Sequence, residues 1–266
     1  VWYLNGNFMG SFDEYIGQIP VMVKSKICNL YDALPKEMIR RKEDAEELGG
    51  YFIANGNERI IRMLVAVRRN YPIGLSRKTW KDSFPFFSEF GVSMRCVGAG
   101  EKTQNMVLHY LTNGTAKLKV FYNARSITVP VVMILRALVD FTDKKLFRRI
   151  VSGYDGKEKQ FFENSVKTMI ILVKKHGVSS QTDALEHLGA QLKKYQPNEI
   201  PTQWSDLEIG KSLIKYSVAT HLDAEEDKFN CIALMTRKVY ALAKAECAIE
   251  NEDNPMFHEV FSSGQI

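Results

Sequence analysis

The feature that most constrains the fold of this chain is a change of hydrophobic period at Pro130. Before it, short apolar runs alternate with turn residues, which is typical of strands. After it, apolar residues recur every three or four positions, which is typical of helices packed on a core. Strands that precede a run of helices favour an α+β fold over an α/β fold, in which strands and helices alternate along the chain.

Six helices are predicted after this change. Pro130 starts the first, Gly177 ends the third, and Ser205 with Glu208 forms a capping-box pattern at the start of the fifth. A mainly helical C-terminal half is therefore expected. The six helices are predicted over residues 130–138, 143–151, 161–175, 182–194, 205–218 and 225–247.

A β-hairpin is predicted directly upstream of these helices. Residues 107–122 alternate around Asn113-Gly114, a dipeptide that favours two-residue type I′ turns. Such a turn would pair His109 with Leu118 on an apolar face. We therefore interpret His109 as a core or edge histidine rather than a catalytic base.

A second local signal lies in the N-terminal part. Gly49 and Gly50 follow a charged segment, and a short apolar run then leads to Asn55-Gly56. The glycine pair predicts the left-handed end of a helix over residues 35–48. Asn55-Gly56 predicts a tight hairpin, because both central residues of its turn need positive φ.

The same segment resembles a signature of the second-largest subunits of multisubunit RNA polymerases. Residues 49–58 read Gly-Gly-Tyr-Phe-Ile-Ala-Asn-Gly-Asn-Glu, similar to a motif of the domain called the protrusion. Residues 19–25 are similar to the preceding strand and turn, and we predict a strand over 19–23. Residues 68–72 resemble the RNA polymerase I form of the family.

The second half of the chain also resembles this family. Residues 127–138 are similar to the strand, proline and Arg-Ala-Leu helix of its lobe domain, and residues 234–242 resemble the polymerase I segment that closes the lobe. The latter departs from the polymerase II and bacterial pattern. The resemblance implies an incomplete protrusion part over 1–85, a lobe over 86–248 and a return segment over 249–266.

Basic residues concentrate in residues 59–95, which hold eight lysines and arginines against two acidic residues, whereas residues 246–259 are acidic. Such a stretch fits either a face near polyanions or a solvated surface. With the resemblance, it predicts proximity to nucleic acid without sequence readout. The predicted nucleic-acid-proximal set is Arg59, Arg62, Arg68, Arg69, Arg77, Lys78, Lys81, Arg237 and Lys238.

The stretch 68–90 is interrupted by two prolines and is rich in aromatic residues. We expect it to link two domains, with its aromatic rings packing the loop; stacking on bases is the alternative. We also expect that replacing Arg68 and Arg69 with alanine leaves folding intact and lowers DNA association.

No catalytic pattern in the sequence is complete. The cysteines lack C-x-x-C spacing, the histidines fall at no metal spacing, and residues 98–103 lack the Gly-Lys pair of a phosphate loop, which favours a solvated turn. Carboxylates at 206–208 and 225–227 lie at predicted helix starts, where negative charge favours the helix dipole. We predict no catalytic residue, metal or cofactor in this chain.

The resemblance implies a module of an enzyme whose chemistry lies elsewhere. In such polymerases the catalytic magnesium is held by the largest subunit. We expect a non-catalytic wall of the DNA cleft in DNA-directed RNA polymerase I, acting in rRNA gene transcription in the nucleus and nucleolus. The implied partners are DNA, the largest subunit and smaller subunits, including a heterodimer and a zinc-ribbon subunit that dock on the lobe.

Two other functions are compatible with parts of the sequence. A free-standing, sequence-independent nucleic-acid-binding protein would use the basic and aromatic stretch, and a hydrolase or transferase would use the carboxylate clusters. No run approaches the ~20 apolar residues of a membrane span, so no membrane partner is expected. Because the chain lacks an initiator methionine and ends at Gln265-Ile266, we expect a fragment of a longer protein.

Overall fold

The structure is a computed structural model that describes residues 2–4, 7–61, 63–83, 85–98, 102–123, 125–195, 200, 203–251 and 253–261. The chain divides into two compact units, Val1–Leu64 with Phe261–Ile266, and Val65–Val260. The boundaries of these units differ from the domain boundaries that the family resemblance implies, which lie after residue 85 and after residue 248. Those limits concern the family's domains and stay a prediction.

The Val1–Leu64 unit contains two hairpins and one short helix. β1 pairs with β2 and β3 pairs with β4, both antiparallel. Among the described residues of this unit, the buried apolar side chains are those of Val23 and Met38. Its elements are β1 (Trp2–Leu4), β2 (Asn7–Gly10), α1 (Pro35–Arg40), β3 (Phe52–Ala54) and β4 (Asn57–Arg59).

The tight hairpin at Asn55-Gly56 is confirmed. Ala54 pairs with Asn57, which leaves two residues in the turn. Asn55 has a φ of 52° and Gly56 a φ of 76°, as a type I′ turn requires.

The predicted helix over 35–48 is wrong in its extent, because α1 ends at Arg40. Met38 is the buried residue of α1, so the charged residues that follow have no apolar stripe to hold another turn on a core. Lys42 then takes a φ of 63°. Gly49 and Gly50 do have positive φ, but they lie well beyond the end of the helix.

The predicted strand over 19–23 is also wrong. Met22 forms an isolated bridge with Phe52, and the neighbouring residues form no ladder. Pro20 has no backbone N–H to donate to a partner strand, and Lys24 leaves the extended region with a φ of 60°.

The Val65–Val260 unit is built on a five-stranded antiparallel sheet of order β10-β9-β8-β7-β6. A separate two-stranded pair joins β5 to β11. The strands are β5 (Leu64–Val67), β6 (Ile73–Ser76), β7 (Phe87–Val97), β8 (Thr103–Leu111), β9 (Ala116–Tyr122), β10 (Arg125–Pro130) and β11 (His258–Phe261). Residues 99–101 of the predicted solvated turn over 98–103 lie outside the described residues.

The stretch 68–90 lies within one compact unit and does not join the two units of the structure. Its expected role as a link between the two domains of the family stays a prediction. The stretch contributes β6, the short helix α2 (Lys78–Ser83) and the first residues of β7, all within the Val65–Val260 unit. Trp80 of α2 packs so closely on the sheet that a Cβ at Gly91 would lie 2.6 Å from its ring. The prolines fall between these elements, where a missing N–H breaks no ladder.

Six helices follow the sheet within the described part of this unit, which confirms the α+β fold. The capping box at Ser205 and Glu208 is present in full. The last helix ends before residue 247, since Ala245 has a φ of 56°. The helices are α3 (Val131–Leu138), α4 (Asp143–Val151), α5 (Lys159–Lys175), α6 (Gln181–Tyr195), α7 (Asp206–Ser217) and α8 (Glu225–Ala243).

The register predicted for the β8–β9 hairpin is wrong by one residue. Leu108 pairs with Leu118, and His109 pairs with Lys117. The Leu111 N–H donates a hydrogen bond to the Thr115 carbonyl, so the loop has three residues and ends on Gly114. Gly114 has a φ of 79°, while Asn113 has no positive φ. A three-residue loop that ends in a left-handed glycine replaces the type I′ turn and shifts every cross-strand pair.

The core of this unit lies between one face of the sheet and the helices. Along β9 the buried side chains alternate with half-exposed ones, and every residue of α3 is buried. Close crossing of α6 and α7 depends on two glycines, because a Cβ at Gly189 would lie 1.8 Å from the Asp206 carbonyl oxygen and one at Gly210 would lie 2.1 Å from that of Leu185. None of the helices in the described ranges is long and apolar enough to cross a membrane.

Candidate nucleic-acid interface

The structure divides the predicted nucleic-acid-proximal residues between the two units. Arg59 is an exposed residue of β4 in the Val1–Leu64 unit, and Arg62 lies outside the described residues. The other seven lie in the Val65–Val260 unit, where their surroundings differ sharply. They are Arg68, Arg69, Arg77, Lys78, Lys81, Arg237 and Lys238.

Arg69 takes part in an ion network inside the Val65–Val260 unit. Its Nε lies 2.9 Å from Oε2 of Glu259, while Nη1 of Arg95 lies 2.5 Å from Oε1 of the same carboxylate and 2.9 Å from the carbonyl oxygen of Val67. Burial raises the pKa of Glu259, but hydrogen bonds from the two arginines outweigh it and hold that pKa below its usual value. The network joins strand β11 to β5 and β7.

Lys238 forms a second internal network. Its Nζ lies 2.7 Å from the carbonyl oxygen of Pro72 and 2.7 Å from Oε2 of Glu250. The same Glu250 oxygen accepts a hydrogen bond from the Gly74 N–H at 2.5 Å. The ammonium therefore connects α8 to the start of β6 and to the acidic segment after α8.

Tyr71 lies between two of the predicted cations. Its ring centroid is 5.1 Å from Cζ of Arg68 and 5.3 Å from Nζ of Lys238, distances typical of cation–π contacts. Phe257 stacks on the same ring with centroids 5.9 Å apart. The aromatic residue thus packs within the protein, as the packing interpretation of this stretch predicts.

Arg237 lies apart from this group. Its Nη1 donates a hydrogen bond to the carbonyl oxygen of Ser152, and burial lowers the pKa of the guanidinium. Arg237 therefore binds the end of α4, whereas Lys238 binds Pro72 and Glu250.

The expectation that Arg68 and Arg69 can be replaced together without loss of folding does not fit these contacts. Arg69 is one of the two arginines on Glu259, and its removal would leave a half-buried carboxylate with one partner fewer. Arg68 is exposed and contacts Tyr71 through its guanidinium. The two neighbouring arginines therefore have different roles.

The exposed basic surface of this unit is centred on α2. Lys78 and Lys81 are exposed and three residues apart, which places them on one side of the helix, and neither is in an ion pair among the described residues. Arg77 precedes them and is exposed, with Cζ 5.5 Å from the Trp80 ring centroid. We define Arg77, Lys78 and Lys81 as the α2 basic patch.

The α2 helix is held to the sheet by aromatic packing over His109. The Trp80 ring meets the imidazole edge-on at 4.9 Å, and Phe87 lies 5.0 Å from it. Burial and then the charge of Lys119 lower the pKa of His109 to about 4. The prediction that His109 is a core residue is correct. Its side chain lies on the same face of the sheet as Lys117 and Lys119, however, and not on the apolar face. Its Nδ1 has no hydrogen-bond partner among the described residues.

A family profile described as RNA polymerase beta subunit matches residues 9–259. The chain belongs to the RNA polymerase beta-subunit family. The resemblance inferred from residues 19–72 and 127–138 is therefore confirmed.

Curated members of this family match the chain from end to end. DNA-directed RNA polymerase I subunit RPA2 of Mus musculus is 40% identical over 265 residues, which are 100% of this chain and 23% of the mouse protein. The human protein of the same name is 39% identical over 267 residues, with the same coverage. Probable RNA polymerase I subunit RPA2 of Schizosaccharomyces pombe is 36% identical, over 99% of this chain and 22% of that protein. The chain thus spans less than a quarter of these relatives.

The carboxylate clusters of this beta-subunit family member lie at helix starts, as predicted. Glu208 accepts hydrogen bonds from the backbone and side chain of Ser205, which lower its pKa, and Glu225 with Asp227 falls in the first turn of α8. No three histidine, cysteine, aspartate or glutamate side chains among the described residues are arranged to hold a metal ion.

Sequence reasoning missed the partners of the basic residues. Glu250 and Glu259 bind Lys238, Arg69 and Arg95, although they lie far away in the sequence. The acidic composition of residues 246–259 was the available signal. Opposite charge in two segments of one chain indicates that they can pair, but it does not say which residues meet.

Proposed function

We propose that this chain is a non-catalytic structural module of DNA-directed RNA polymerase I, which transcribes rRNA genes. In this proposal the chain forms a wall of the DNA cleft and a docking surface for other subunits. The observation that carries it is the 40% identity with mouse RNA polymerase I subunit RPA2 across all of this chain. The same name recurs for relatives in animals and fungi.

Nucleotidyl transfer belongs to the assembled enzyme in this proposal. The catalytic magnesium would be held by the largest subunit, where it stabilises the charge that develops during transfer. Three carboxylates of this chain have other tasks, since Glu208 caps α7 while Glu250 and Glu259 accept hydrogen bonds from basic residues. We propose that the whole protein acts in the nucleus, in the nucleolus.

DNA contact in this proposal comes from the α2 basic patch, with Arg68 and Arg59 as further exposed cations. Lysine and arginine are attracted to the phosphate charge whatever the base sequence is. This suits the wall of a cleft through which DNA of any sequence must pass. Arg69, Arg237 and Lys238 are assigned a structural role instead, because their charged groups are bound within the protein.

The partners in this proposal are the largest subunit and smaller RNA polymerase I subunits, including a heterodimer and a zinc-ribbon subunit that dock on the lobe. The experiment is affinity purification of the tagged full-length parent from nuclear extract, followed by mass spectrometry. We expect RNA polymerase I subunits in stoichiometric amounts. Recovery of the protein alone, with DNA binding in the low micromolar range, would favour the free-standing nucleic-acid-binding protein.

A further inference from the structure

A cleft of about 1110 Å³ opens in the Val65–Val260 unit, away from α2. Its walls come from the end of β7, the start of β8, the start of α6, one side of α7 and the segment that leads into α8. The α6–α7 crossing at Gly189 and Gly210 fixes two of these walls at a close separation.

The floor of the cleft is aliphatic. Ala137, Leu185 and Ile214 are buried, and Leu222 is half-buried beside them. Such a floor favours the entry of an apolar side chain, because burial of its surface is stabilising.

A buried ammonium group adds a polar element to this floor. Lys228 is 4% exposed and donates hydrogen bonds to the carbonyl oxygens of Ile214 at 3.1 Å and Lys215 at 3.5 Å. Burial lowers the pKa of Lys228, against the opposing effect of Asp223 and Glu225. No carboxylate of the described residues forms an ion pair with it, so an ammonium with three donors has two backbone acceptors.

The rim carries further positive charge. Lys102, Lys211 and Lys215 are exposed, and none of them forms an ion pair among the described residues. Thr220 also lines the cleft, and its buried hydroxyl has no hydrogen-bond partner within the described part of the chain. The cleft therefore combines an apolar floor with four basic groups, an unused hydroxyl and two carboxylates, those of Asp223 and Glu225.

We propose that this cleft binds an acidic segment of another protein, with an apolar side chain on the floor and carboxylates against Lys228, Lys211 and Lys215. The proposal deepens the docking role proposed above by naming the chemistry of one partner segment. An ion pair with a carboxylate would satisfy the buried ammonium, and charge complementarity would select the partner.

Nucleic acid fits this cleft less well than an acidic protein segment does. Asp223 and Glu225 on its edge can accept hydrogen bonds from the backbone N–H groups of a peptide, whereas a sugar-phosphate backbone has no N–H group to donate. Binding of single strands relies on several aromatic rings, and Tyr216 is the aromatic residue of this lining.

The test is site-specific photocrosslinking in intact cells. Benzoylphenylalanine replaces Tyr216, which is 58% exposed at the cleft, in the full-length parent, and the crosslinked peptide is sequenced by mass spectrometry. A peptide of net negative charge that contains a large apolar residue is the expected product. A neutral or basic peptide, a nucleic-acid adduct or no adduct would overturn the proposal.

Two charge-reversal variants show whether the rim selects the partner. Lys211→Glu with Lys215→Glu is expected to lower the crosslink yield at position 216 roughly ten-fold, because two attractive pairs become repulsive. Lys175→Glu with Lys194→Glu, on exposed lysines outside the cleft, is the matched control and should leave the yield unchanged. Equal yields in the two double variants would overturn the proposal.

Failure here is distinguishable from failure of the proposed function. Crosslinking in cells reports on the cleft whether or not the protein purifies with RNA polymerase I. If the protein with the native rim lysines gave no crosslink at position 216 while all polymerase subunits were still present, the acidic partner would be refuted and the structural role would stay intact.

Discussion

Two groups of basic side chains in the Val65–Val260 unit look alike in sequence and differ in structure. Arg69, Arg95 and Lys238 are bound to carboxylates from the acidic segment that follows α8. Lys78 and Lys81 of the α2 basic patch are exposed and form no ion pair within the described residues. A local excess of basic residues therefore identifies candidates for nucleic-acid contact. Whether a candidate can bind a phosphate depends on whether its charged group is already bound to a carboxylate of the protein.

The largest expected effect concerns the packing that holds the α2 basic patch in place. The pKa of His109 is lowered to about 4 from an ordinary 6.5, so the unfolded chain binds the proton more readily. Stability should fall as the pH drops from 6.5 to 4, by about 3 kcal/mol from this group alone. Urea unfolding of the chain at a series of pH values measures it.

His109→Phe is the variant that isolates this contribution. A phenyl ring keeps contact with Trp80 and Phe87 but cannot be protonated. The loss of stability between pH 6.5 and 4 should shrink by about 3 kcal/mol relative to the native chain. An identical pH profile in both proteins would mean that the histidine is not a buried neutral group.

A smaller effect is expected from the ion network of the bound arginines. Glu259→Gln should lower the free energy of unfolding by about 2 kcal/mol, because Arg69 and Arg95 lose a charged acceptor. The pKa of Glu259 is lowered in the folded state, so this stabilisation is present above the unfolded pKa and is lost as pH falls through the folded value. Glu186→Gln, on an exposed residue of α6, is the control.

Lys238→Met should cost about 1 kcal/mol of stability, because the Pro72 carbonyl and Glu250 lose a donor. DNA association of the assembled polymerase should not change. Lys194→Met, on an exposed lysine, should alter neither quantity. Weaker DNA association for Lys238→Met at unchanged stability would mean that this lysine contacts DNA, as proposed for Lys78 and Lys81.

The sequence predicted those parts of the fold that depend on neighbouring residues. Asn55-Gly56 sets a turn by its own backbone preference, and Ser205 with Glu208 caps α7 from three residues away. The helices after Pro130 were predicted because apolar residues recur every three or four positions, which places them on one face of each helix. The α+β class followed from these local patterns, whereas the family assignment came from the resemblance of residues 19–72 and 127–138 to motifs of the family.

The parts that failed depend on loop length, on distant partners or on the absence of a core. The β8–β9 register turned on whether the loop has two or three residues, which Asn113-Gly114 does not decide. The role of Arg69 depends on Glu259, 190 positions later in the chain. The helix over 35–48 was predicted from its boundaries, but its later residues have no core to pack on.

The most direct test of the division between the two groups is the salt dependence of DNA association by the assembled polymerase. For Lys78→Ala with Lys81→Ala, the slope of log K against log salt concentration should become shallower by about 1.8, with stability unchanged within about 0.5 kcal/mol. Arg69→Gln should leave the slope unchanged and lower stability. An unchanged slope for the α2 double variant, or a shallower one for Arg69→Gln, would contradict the account.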